Sequence, residues 1–477
     1  MTPGRTRAWI GPVTGIEVDT DAPDPGPRLF KLTDLGNAER LAHHEGVDMR
    51  YCYEWESWMI WTGRRWERDP AASTEKASLV VRRIMDEFEL LGDPNDEAEK
   101  AWRKHANASE SRRSILSMID LARPMLRVRS IEFDTNPNLL NVLNGTLDLH
   151  TGELRPHRRA DLCSKLAPVA FDRDATCPRW DAFITWATCN DGELLDYLQR
   201  FFGYALTGDT SEQVFQVWHG GGANGKGTAI RVLMALLGDY AMAGAPGLLM
   251  SRYGETHPTE VAAIQGARLV VCQEIDEGKR LDEARIKQLT GEDRVTARFM
   301  HSDFFQFEVM AKFLLVVNAR PVVTGTDHGI WRRLHLLPWD ATVTDAALDR
   351  YLATALIEEL PGILAWAVRG CVSWRTQRLG RPARMTAATS AYRQEQDQIG
   401  LFLDECCTVA VGVSSISETA AALYRAYASW GKERGEHPCA QKRFGMELEK
   451  RSFVSGKNSQ GQRSWRGVCL RLGNPVA

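Results

Sequence analysis

The hydrophobic pattern in the middle of the chain predicts a strand, a polar loop and a helix in succession. Residues 214–218 form a short apolar run bounded by polar residues, which is typical of a buried strand. After a glycine-rich loop, apolar residues recur at the spacing that buries one face of a helix: Ile230, Leu233, Met234 and Leu237. Two further β-prone runs, residues 269–272 and 313–317, predict two more buried strands. We therefore expect an α/β fold.

Further elements are predicted before and after this region. Residues 75–91 are helix-like, and four apolar residues there are spaced for burial on one face: Val80, Ile84, Phe88 and Leu91. Residues 294–299 and 304–309 alternate like strands on either side of a turn, which predicts a hairpin. Residues 346–400 are predicted to be helical, with a new helix starting at Leu360.

The end of the chain has the pattern of a winged helix. Residues 418–430 and 438–451 predict two helices, and residues 453–472 predict a hairpin around a polar turn. The candidate DNA-binding residues are Lys442 and Arg443 on the second helix and Lys457, Arg463 and Arg466 on the hairpin. From residue 413 onward there are 11 Lys and Arg against 5 Asp and Glu, whereas the whole chain carries −3. We expect phosphate-dominated DNA binding, and the alternative is a basic but structural cap.

The loop after the first predicted strand has the spacing of the Walker A phosphate-binding motif. Its candidate nucleotide-binding residues are Gly220, Gly222, Asn224, Gly225, Lys226, Gly227 and Thr228. Glycines let backbone N–H groups turn toward a polyphosphate, and the lysine supplies a charge near its β/γ-phosphates. Gly227 stands where the motif has a hydroxyl, so Thr228 is the expected Mg²⁺ ligand. ATP and Mg²⁺ are the expected cofactors, and the alternative is a glycine-rich turn without a nucleotide.

Polar residues after the second and third predicted strands complete a candidate catalytic site. Glu274, assisted by Asp276, is the expected metal-linked acid, because a phosphate loop needs a carboxylate that holds Mg²⁺ and polarises water. Asn318 is expected to sense the γ-phosphate from a strand that lies between the first two. Arg332 and Arg333 are candidates for an arginine finger in a neighbouring subunit's site. The alternatives are a solvated acidic turn, a strand-ending asparagine and a surface basic pair.

Together these motifs resemble the superfamily 3 helicases, and within them the phage, plasmid and poxvirus-type primase–helicase family. The resemblance rests on GGGANGKGT, RLVVCQEIDEG, LDEARIKQLTGEDRVTAR, LLVVNARP and GTDHGIWRRLHLLPW, in this order along the chain. Several members of that family are similar in having GKGT, so Gly227 departs from the general Walker A motif but not from these members. Residues 33–66 and 138–154 resemble the region that precedes the helicase in that family.

The resemblance implies a compact AAA+-like P-loop ATPase that forms homo-hexameric rings. It implies that the hairpin around His301, which also carries Arg298 and Lys312, projects into the ring channel and grips single-stranded DNA. It implies that Arg332 or Arg333 acts across the subunit interface, with Arg333 favoured. Considered without the resemblance, His301 is more simply an ordinary solvated turn histidine.

Composition indicates the broad class of protein and its expected location. The chain has 477 residues, of which 44% are hydrophobic and 25% charged, as is ordinary for a soluble globular protein. It has no apolar run of membrane-spanning length and no apolar signal core near its start, so we expect it in the cytoplasm of a bacterial host, with no membrane partner. Ten cysteines form no C-x-x-C pair, so reduced thiols are expected and a zinc site is not.

The expected organisation has five parts. They are a flexible arm at residues 1–28, a mixed α/β helicase-associated domain at 29–200, the ATPase at 201–345, a helical buttress at 346–400 and the winged-helix domain at 401–477. Asp19 and Asp21 superficially resemble the paired acids of a primase, but no domain of adequate size precedes the helicase region to carry them. We therefore expect a chain that unwinds DNA without priming it, beside a separate primase and polymerase.

Alternatives remain open for one cluster and for the function. Four tryptophans favour the core of a small hairpin over a surface that stacks on bases: Trp55, Trp58, Trp61 and Trp66. The leading hypothesis is an ATP-driven DNA helicase of phage or plasmid-type replication that acts on single-stranded and forked DNA. Its rival is an ATP-switched origin-binding protein or loader that does not unwind. A packaging or RNA-directed ATPase is a distant third.

Overall fold

The computed structural model describes residues 29–91, 95–251, 258–273, 278–291, 293–300, 303–324, 328–344, 349–435 and 438–471, and the structural statements below concern these. They fold into a mixed α/β structure with several sheets. The arm expected at residues 1–28, with Asp19 and Asp21, lies outside them. Within the described part of the chain, no helix combines the length and the apolar character that crossing a bilayer requires.

The first unit packs five helices against a small sheet. Its elements are α1 (Asp34–Glu45), β1 (Met49–Cys52), β2 (Ser57–Trp61), β3 (Trp66–Arg68), α2 (Pro70–Arg82), α3 (Ile84–Phe88), α4 (Asp96–Ser109), α5 (Arg112–Ala122) and β4 (Arg127–Val128). The side chains of Thr33, Asn95 and Ser111 accept backbone hydrogen bonds in the first turns of α1, α4 and α5, which stabilises the start of each helix. The strand order is β3-β2-β1-β4.

The tryptophan-rich segment forms the hairpin of β2 and β3. Trp58 and Trp66 are buried, and the Trp66 indole donates a hydrogen bond to the carbonyl oxygen of Arg159. Trp55 stacks on Phe133 with 5.3 Å between ring centroids. These contacts give the cluster the core role that the sequence favours.

A three-stranded meander connects this unit to a central parallel sheet. The meander consists of β5 (Leu139–Val142), β6 (Gly145–Asp148) and β7 (Glu153–Arg155). The following elements are α6 (Pro178–Ala187), α7 (Gly192–Leu206), β8 (Phe215–His219), α8 (Lys226–Leu237), β9 (Ala241–Ala243), α9 (Pro258–Ala262), β10 (Leu269–Gln273), α10 (Glu283–Leu289), β11 (Arg294–Ala297), β12 (Phe305–Glu308), β13 (Lys312–Val317), α11 (His328–Trp331) and β14 (Leu334–Pro338).

The central sheet has five parallel strands in the order β14-β8-β13-β10-β9. This order places β13 between β8 and β10, which is the position expected for the strand that ends before Asn318. Strands buried on both faces are built from nearly continuous apolar runs, and β8, β10 and β13 have that composition. The carboxyl ends of β8, β13 and β10 therefore meet at one edge of the sheet.

Helices on one face of the sheet share a single core with it. The next helices are α12 (Leu352–Ile357), α13 (Leu360–Gln377) and α14 (Ala383–Gln396). The core extends from Leu140 to Met385 and so runs across the borders expected at residues 200 and 345. Helices α7 and α13 approach closely at Gly203 and Gly370, where a Cβ atom would collide with the backbone of the opposite helix.

The last unit combines three helices with short strands. Its elements are α15 (Gln398–Cys406), β15 (Cys407–Val409), β16 (Ser417–Thr419), α16 (Ala420–Glu433), α17 (Gln441–Lys450), β17 (Val454–Lys457), β18 (Arg463–Arg466) and β19 (Val468–Leu470). Strands β17 and β18 form an antiparallel hairpin, and β16 pairs with the other edge of β18. Buried aromatic residues such as Phe402, Tyr427 and Phe444 fill the core between the helices.

Several expected bounds need correction. The single helix expected at residues 75–91 is two helices, α2 and α3, because the chain turns at Arg83, and Leu91 is exposed. Glu418 lies in β16 and not in the helix that follows. Lys312 does not lie on the hairpin of β11 and β12, since it starts β13 and its ammonium is buried against backbone carbonyls such as those of Asp209 and Met310.

We expect the substitution Gly203→Ala to lower the free energy of unfolding by about 1–3 kcal/mol, because α7 and α13 must separate to admit the methyl group. The matched control is Gly192→Ala on the same helix, where a Cβ would meet no atom within 4 Å. The control is expected to lie within about 1 kcal/mol of the parent. Denaturant unfolding measures both, and equal stabilities for the two variants would contradict the close packing of these helices.

Candidate functional site

The glycine loop lies at the carboxyl edge of the sheet, between β8 and α8. Gly222 and Gly225 have φ values of +100° and +85°, which residues with side chains rarely adopt. At Gly220 a Cβ would collide with the carbonyl oxygen of Trp339. The loop thus needs these glycines to fold, and it presents the N-terminus of α8 to the space above the sheet.

Lys226 is the buried cation of this loop. Its ammonium donates hydrogen bonds to the carbonyl oxygens of Gly220 and Val317, the latter at 3.3 Å, and to Asn318 Oδ1 at 3.2 Å. Burial lowers the pKa of the ammonium from its usual value. The structure therefore brings together two predicted site residues, Lys226 and Asn318, that are far apart in sequence.

Asn224 shapes the loop from within. Its side chain is buried, its Nδ2 donates to the Trp339 carbonyl oxygen at 3.1 Å, and its Oδ1 accepts from the Lys226 backbone N–H at 3.4 Å. Gly227 is exposed, and Thr228 is half-buried in the first turn of α8. Both residues therefore stand at the open side of the loop.

The predicted acids Glu274 and Asp276 follow β10 in the sequence. Gln273 ends β10 and lies opposite Val316 of β13. Glu274 and Asp276, which come directly after, lie outside the described residues. Their roles stay predictions.

A cavity of about 810 Å³ opens beside the loop. Residues 222–228 line one part of it, and residues of α6, α8 and α12 line much of the rest, among them Trp186 and Arg231. The lining also includes Val316, Val343, Asp349 and Arg350. Sequence reasoning missed Trp186, because the glycine loop that its ring approaches is distant in sequence.

The arginine pair lies at the opposite edge of the sheet from the glycine loop. Leu334 pairs with Phe215 at the start of β8, and Arg332 and Arg333 come immediately before it. Arg333 donates to Thr290 Oγ1, the Gly329 carbonyl oxygen and Gln213 Oε1. Arg332 is exposed and donates to Gln213 Oε1 at 3.2 Å. Neither guanidinium is placed beside the glycine loop of its own chain.

A buried polar network ties β14 to the chain before α14. His335 accepts a hydrogen bond at Nε2 from Arg381 Nε, 3.0 Å away, and its Nδ1 lies 2.7 Å from the hydroxyl of Tyr197. Burial, assisted by the Arg381 charge, lowers the pKa of His335 to about 3. The imidazole is thus held neutral.

The hairpin of β11 and β12 presents an apolar and cationic tip. Met300 and Phe304 are well exposed there, and the Arg298 guanidinium lies 5.0 Å from the centroid of the Phe304 ring. Arg298 therefore lies near the turn of this hairpin. His301 lies outside the described residues.

The predicted DNA-binding residues of the last unit are exposed, and one of them also makes a contact within the protein. Lys442, Lys457, Arg463 and Arg466 are exposed. Arg443, although also exposed, donates to the carbonyl oxygen of Thr324 in the segment that follows Asn318. One predicted DNA contact is thus engaged within the protein.

Comparison with known proteins identifies two matched segments. A family described as "D5 N terminal like" matches residues 38–189, and a family of unknown function, DUF5906, matches residues 218–333. The first segment includes α6, and the second starts in β8 and ends at the arginine pair. Together they cover the first unit and most of the central sheet.

Similar proteins come from viruses. A protein named putative helicase from Acanthamoeba polyphaga mimivirus is 26% identical over 333 residues, which is 64% of this chain and 34% of that protein. A protein named putative primase from African swine fever virus (isolate Warthog/Namibia/Wart80/1980) is 26% identical over 55% of this chain and 29% of its own length. A putative helicase of Invertebrate iridescent virus 6 is 21% identical over 60% of this chain and 30% of its own length. The chain spans about a third of the length of these relatives.

The fold is similar to that of a solved structure. The apo C-terminal region of NrS-1 superposes with a TM-score of 0.50 at 11% identity, and the match covers 88% of this chain and 96% of that one. This likeness concerns the fold alone. The matched segments and the viral proteins support a relationship to the phage and viral primase–helicase family.

We expect acid to weaken the protein through His335. Its pKa in the folded state lies below the usual value of 6.5, so the unfolded state takes up the proton first and stability falls as the pH drops below 6.5. At pH 5 this proton uptake lowers the free energy of unfolding by about 2 kcal/mol relative to neutral pH. Protonation of the imidazole at Nε2 would also remove the acceptor of the hydrogen bond from Arg381.

Melting temperatures of the parent and His335→Gln between pH 7 and pH 5 test this prediction. The fall in melting temperature is expected to be smaller in the variant, while His150→Gln, at an exposed turn, keeps the fall of the parent. Equal falls in parent and His335→Gln would show that another group is responsible.

Proposed function

We propose that the protein is an ATP-dependent DNA helicase of superfamily 3 that serves phage or plasmid-type replication. The observation that carries the proposal is the contact between Lys226, which starts the helix after β8, and Asn318, which follows the neighbouring parallel strand β13. A glycine loop with a buried lysine, next to a polar strand end, is an arrangement suited to bind and hydrolyse a nucleoside triphosphate. The viral relatives named helicase and primase agree with this proposal.

In the proposed site, ATP and Mg²⁺ occupy the open side of the glycine loop. Lys226 exchanges its carbonyl partners for β/γ-phosphate oxygens, and Asn318, released from the ammonium, faces the γ-phosphate. The nucleotide-binding set is Gly220, Gly222, Asn224, Gly225, Lys226, Gly227 and Thr228. Asn224 contributes by holding the loop in shape. Thr228 and Glu274 would hold Mg²⁺, and Asp276 would assist Glu274 in activating water.

The arginine pair is proposed to complete a neighbouring subunit's site in a homo-hexamer. Because Arg332 and Arg333 lie at the far edge of the sheet from their own loop, only a loop from another copy is available to them. Arg332 suits the role better than Arg333, since it is the more exposed and Arg333 has three acceptors on its own chain. This reverses the preference from the resemblance.

DNA is proposed to contact two regions. Arg298 and His301 on the hairpin would grip one strand in the ring channel. The last unit has the order helix, two strands, two helices, hairpin and a final strand. Its two helices followed by a hairpin have the order of a winged helix, and its exposed cations would contact backbone phosphates. These cations are Lys442, Lys457, Arg463 and Arg466, and Arg443 would join them only after it leaves Thr324.

The rival function is an ATP-switched origin-binding protein or loader, favoured by the engagement of Arg443 with the segment after Asn318. It would use the same nucleotide site without processive unwinding. For either function we propose that the protein acts in the cytoplasm of a bacterial host, beside a separate primase and polymerase.

We expect Lys226→Ala to lower ATP turnover by about 100-fold or more, since its ammonium is the cation of the glycine loop itself. Unwinding of a forked duplex should be lost with it, while the melting temperature is kept because no buried partner charge is left behind. The control is Lys104→Ala, an exposed lysine on α4. Unwinding by Lys226→Ala would end the proposal, and ATP-dependent binding by the parent without unwinding would favour the loader.

A mixing experiment tests the shared site. Arg332→Ala is expected to lower ATP turnover by about a thousandfold, as the loss of an arginine finger does. In an equal mixture with Lys226→Ala, an intact loop meets an intact arginine at about one ring interface in four, so activity should return. A mixture as inactive as its components, although both variants assemble normally, would contradict an arginine supplied by a neighbour.

A further inference from the structure

The cavity beside the glycine loop has two chemically different parts. Residues 222–228 line the first part with backbone N–H groups and the Lys226 chain. The second part includes an apolar surface formed by Phe183 and Trp186 of α6, by Val343, and by Leu352 and Ala353 of α12, with Arg179, Arg231, Asp349 and Arg350 also lining the cavity. The apolar surface does not match phosphate groups, so it is suited to some other portion of a ligand.

Two aromatic rings lie directly against the loop. A Cβ placed on Gly225 would come within 3.0 Å of the Phe183 ring and 3.1 Å of the Trp186 ring. Phe183 is a core residue, buried and tilted against Trp180 with 5.6 Å between ring centroids. Trp186 is 36% exposed and lines the open cavity. Its indole is therefore accessible to whatever enters beside the phosphates.

We propose that Trp186 is the stacking surface for the nucleobase of the triphosphate that the glycine loop holds, an inference that rests on the proposed function. Nucleobases stack on aromatic side chains through their π-faces. The volume of about 810 Å³ is within the range for sites that enclose ligands of nucleotide size. Val343 and the α12 residues would cover the base from other sides.

This assignment makes the nucleotide site a composite of two parts of the chain. Trp186 lies on α6, within the segment matched at residues 38–189, whereas the loop lies within residues 218–333. Helix α6 shares its hydrophobic core with β8 and α8 through Phe183 and Ile184. The region before the sheet therefore contributes ligand contacts and does not only accompany the ATPase.

The test compares two ligands on two variants of the full chain. ATP and inorganic tripolyphosphate are titrated with Mg²⁺ into the parent, Trp186→Ala and Trp186→Phe by calorimetry. Trp186→Ala is expected to bind ATP about tenfold more weakly while its affinity for tripolyphosphate is unchanged, because only ATP carries a base. Trp186→Phe keeps a ring and should retain most of the ATP affinity. Melting temperatures confirm that both variants are folded.

The outcomes separate this inference from the function on which it rests. If Trp186→Ala binds ATP like the parent, or loses ATP and tripolyphosphate equally, the base does not stack there. Lys226→Ala is titrated in parallel and is expected to lose affinity for both ligands. If Lys226→Ala retains both affinities, the nucleotide site itself is wrong. If only the Lys226 result holds, the nucleotide site stands and the Trp186 subsite is discarded.

Discussion

A buried ammonium group organises the carboxyl edge of the central sheet. Removing the Lys226 charge from water is costly, and three oxygen acceptors, from Gly220, Val317 and Asn318, offset that cost. Those acceptors come from the loop after β8 and from the end of β13, so the two strands must be neighbours for the lysine to be satisfied. The same charge, held at the mouth of a loop rich in N–H groups, attracts anions. The arrangement of this edge and its proposed chemistry thus depend on one group.

The local features of this fold could be read from the sequence, since they depend on residues close together in the chain. The apolar runs located β8, β10 and β13 to within a residue at either end. The helix after the glycine loop followed from its periodicity, and the loop from its glycine spacing. The turn at Arg83 could not be foreseen, because neither Gly nor Pro interrupts the helical pattern between α2 and α3.

Long-range polar contacts escaped the sequence for a physical reason. Lys312 precedes an apolar run and resembles a surface cation, yet its ammonium is buried beside the Tyr204 ring. Arg268, at the start of β10, is likewise buried, with its guanidinium 4.3 Å from the Tyr240 ring. Both cations donate mainly to carbonyl oxygens of distant segments. Because every residue has a backbone carbonyl, such contacts produce no signal in composition or periodicity. Trp186 was missed similarly, because its neighbour Gly225 is distant in sequence.

The strand order has a consequence for how the chain acquires its shape. β8 is synthesised first of the five parallel strands, but both of its sheet neighbours, β13 and β14, come last. During synthesis, β8 therefore leaves the ribosome before either of its partner strands, and both of its edges remain unpaired while β9 to β12 are made. Pairings of such large sequence separation form slowly because loop closure costs entropy before contacts repay it. The central sheet can accordingly be completed only after β14, which ends at Pro338, has emerged.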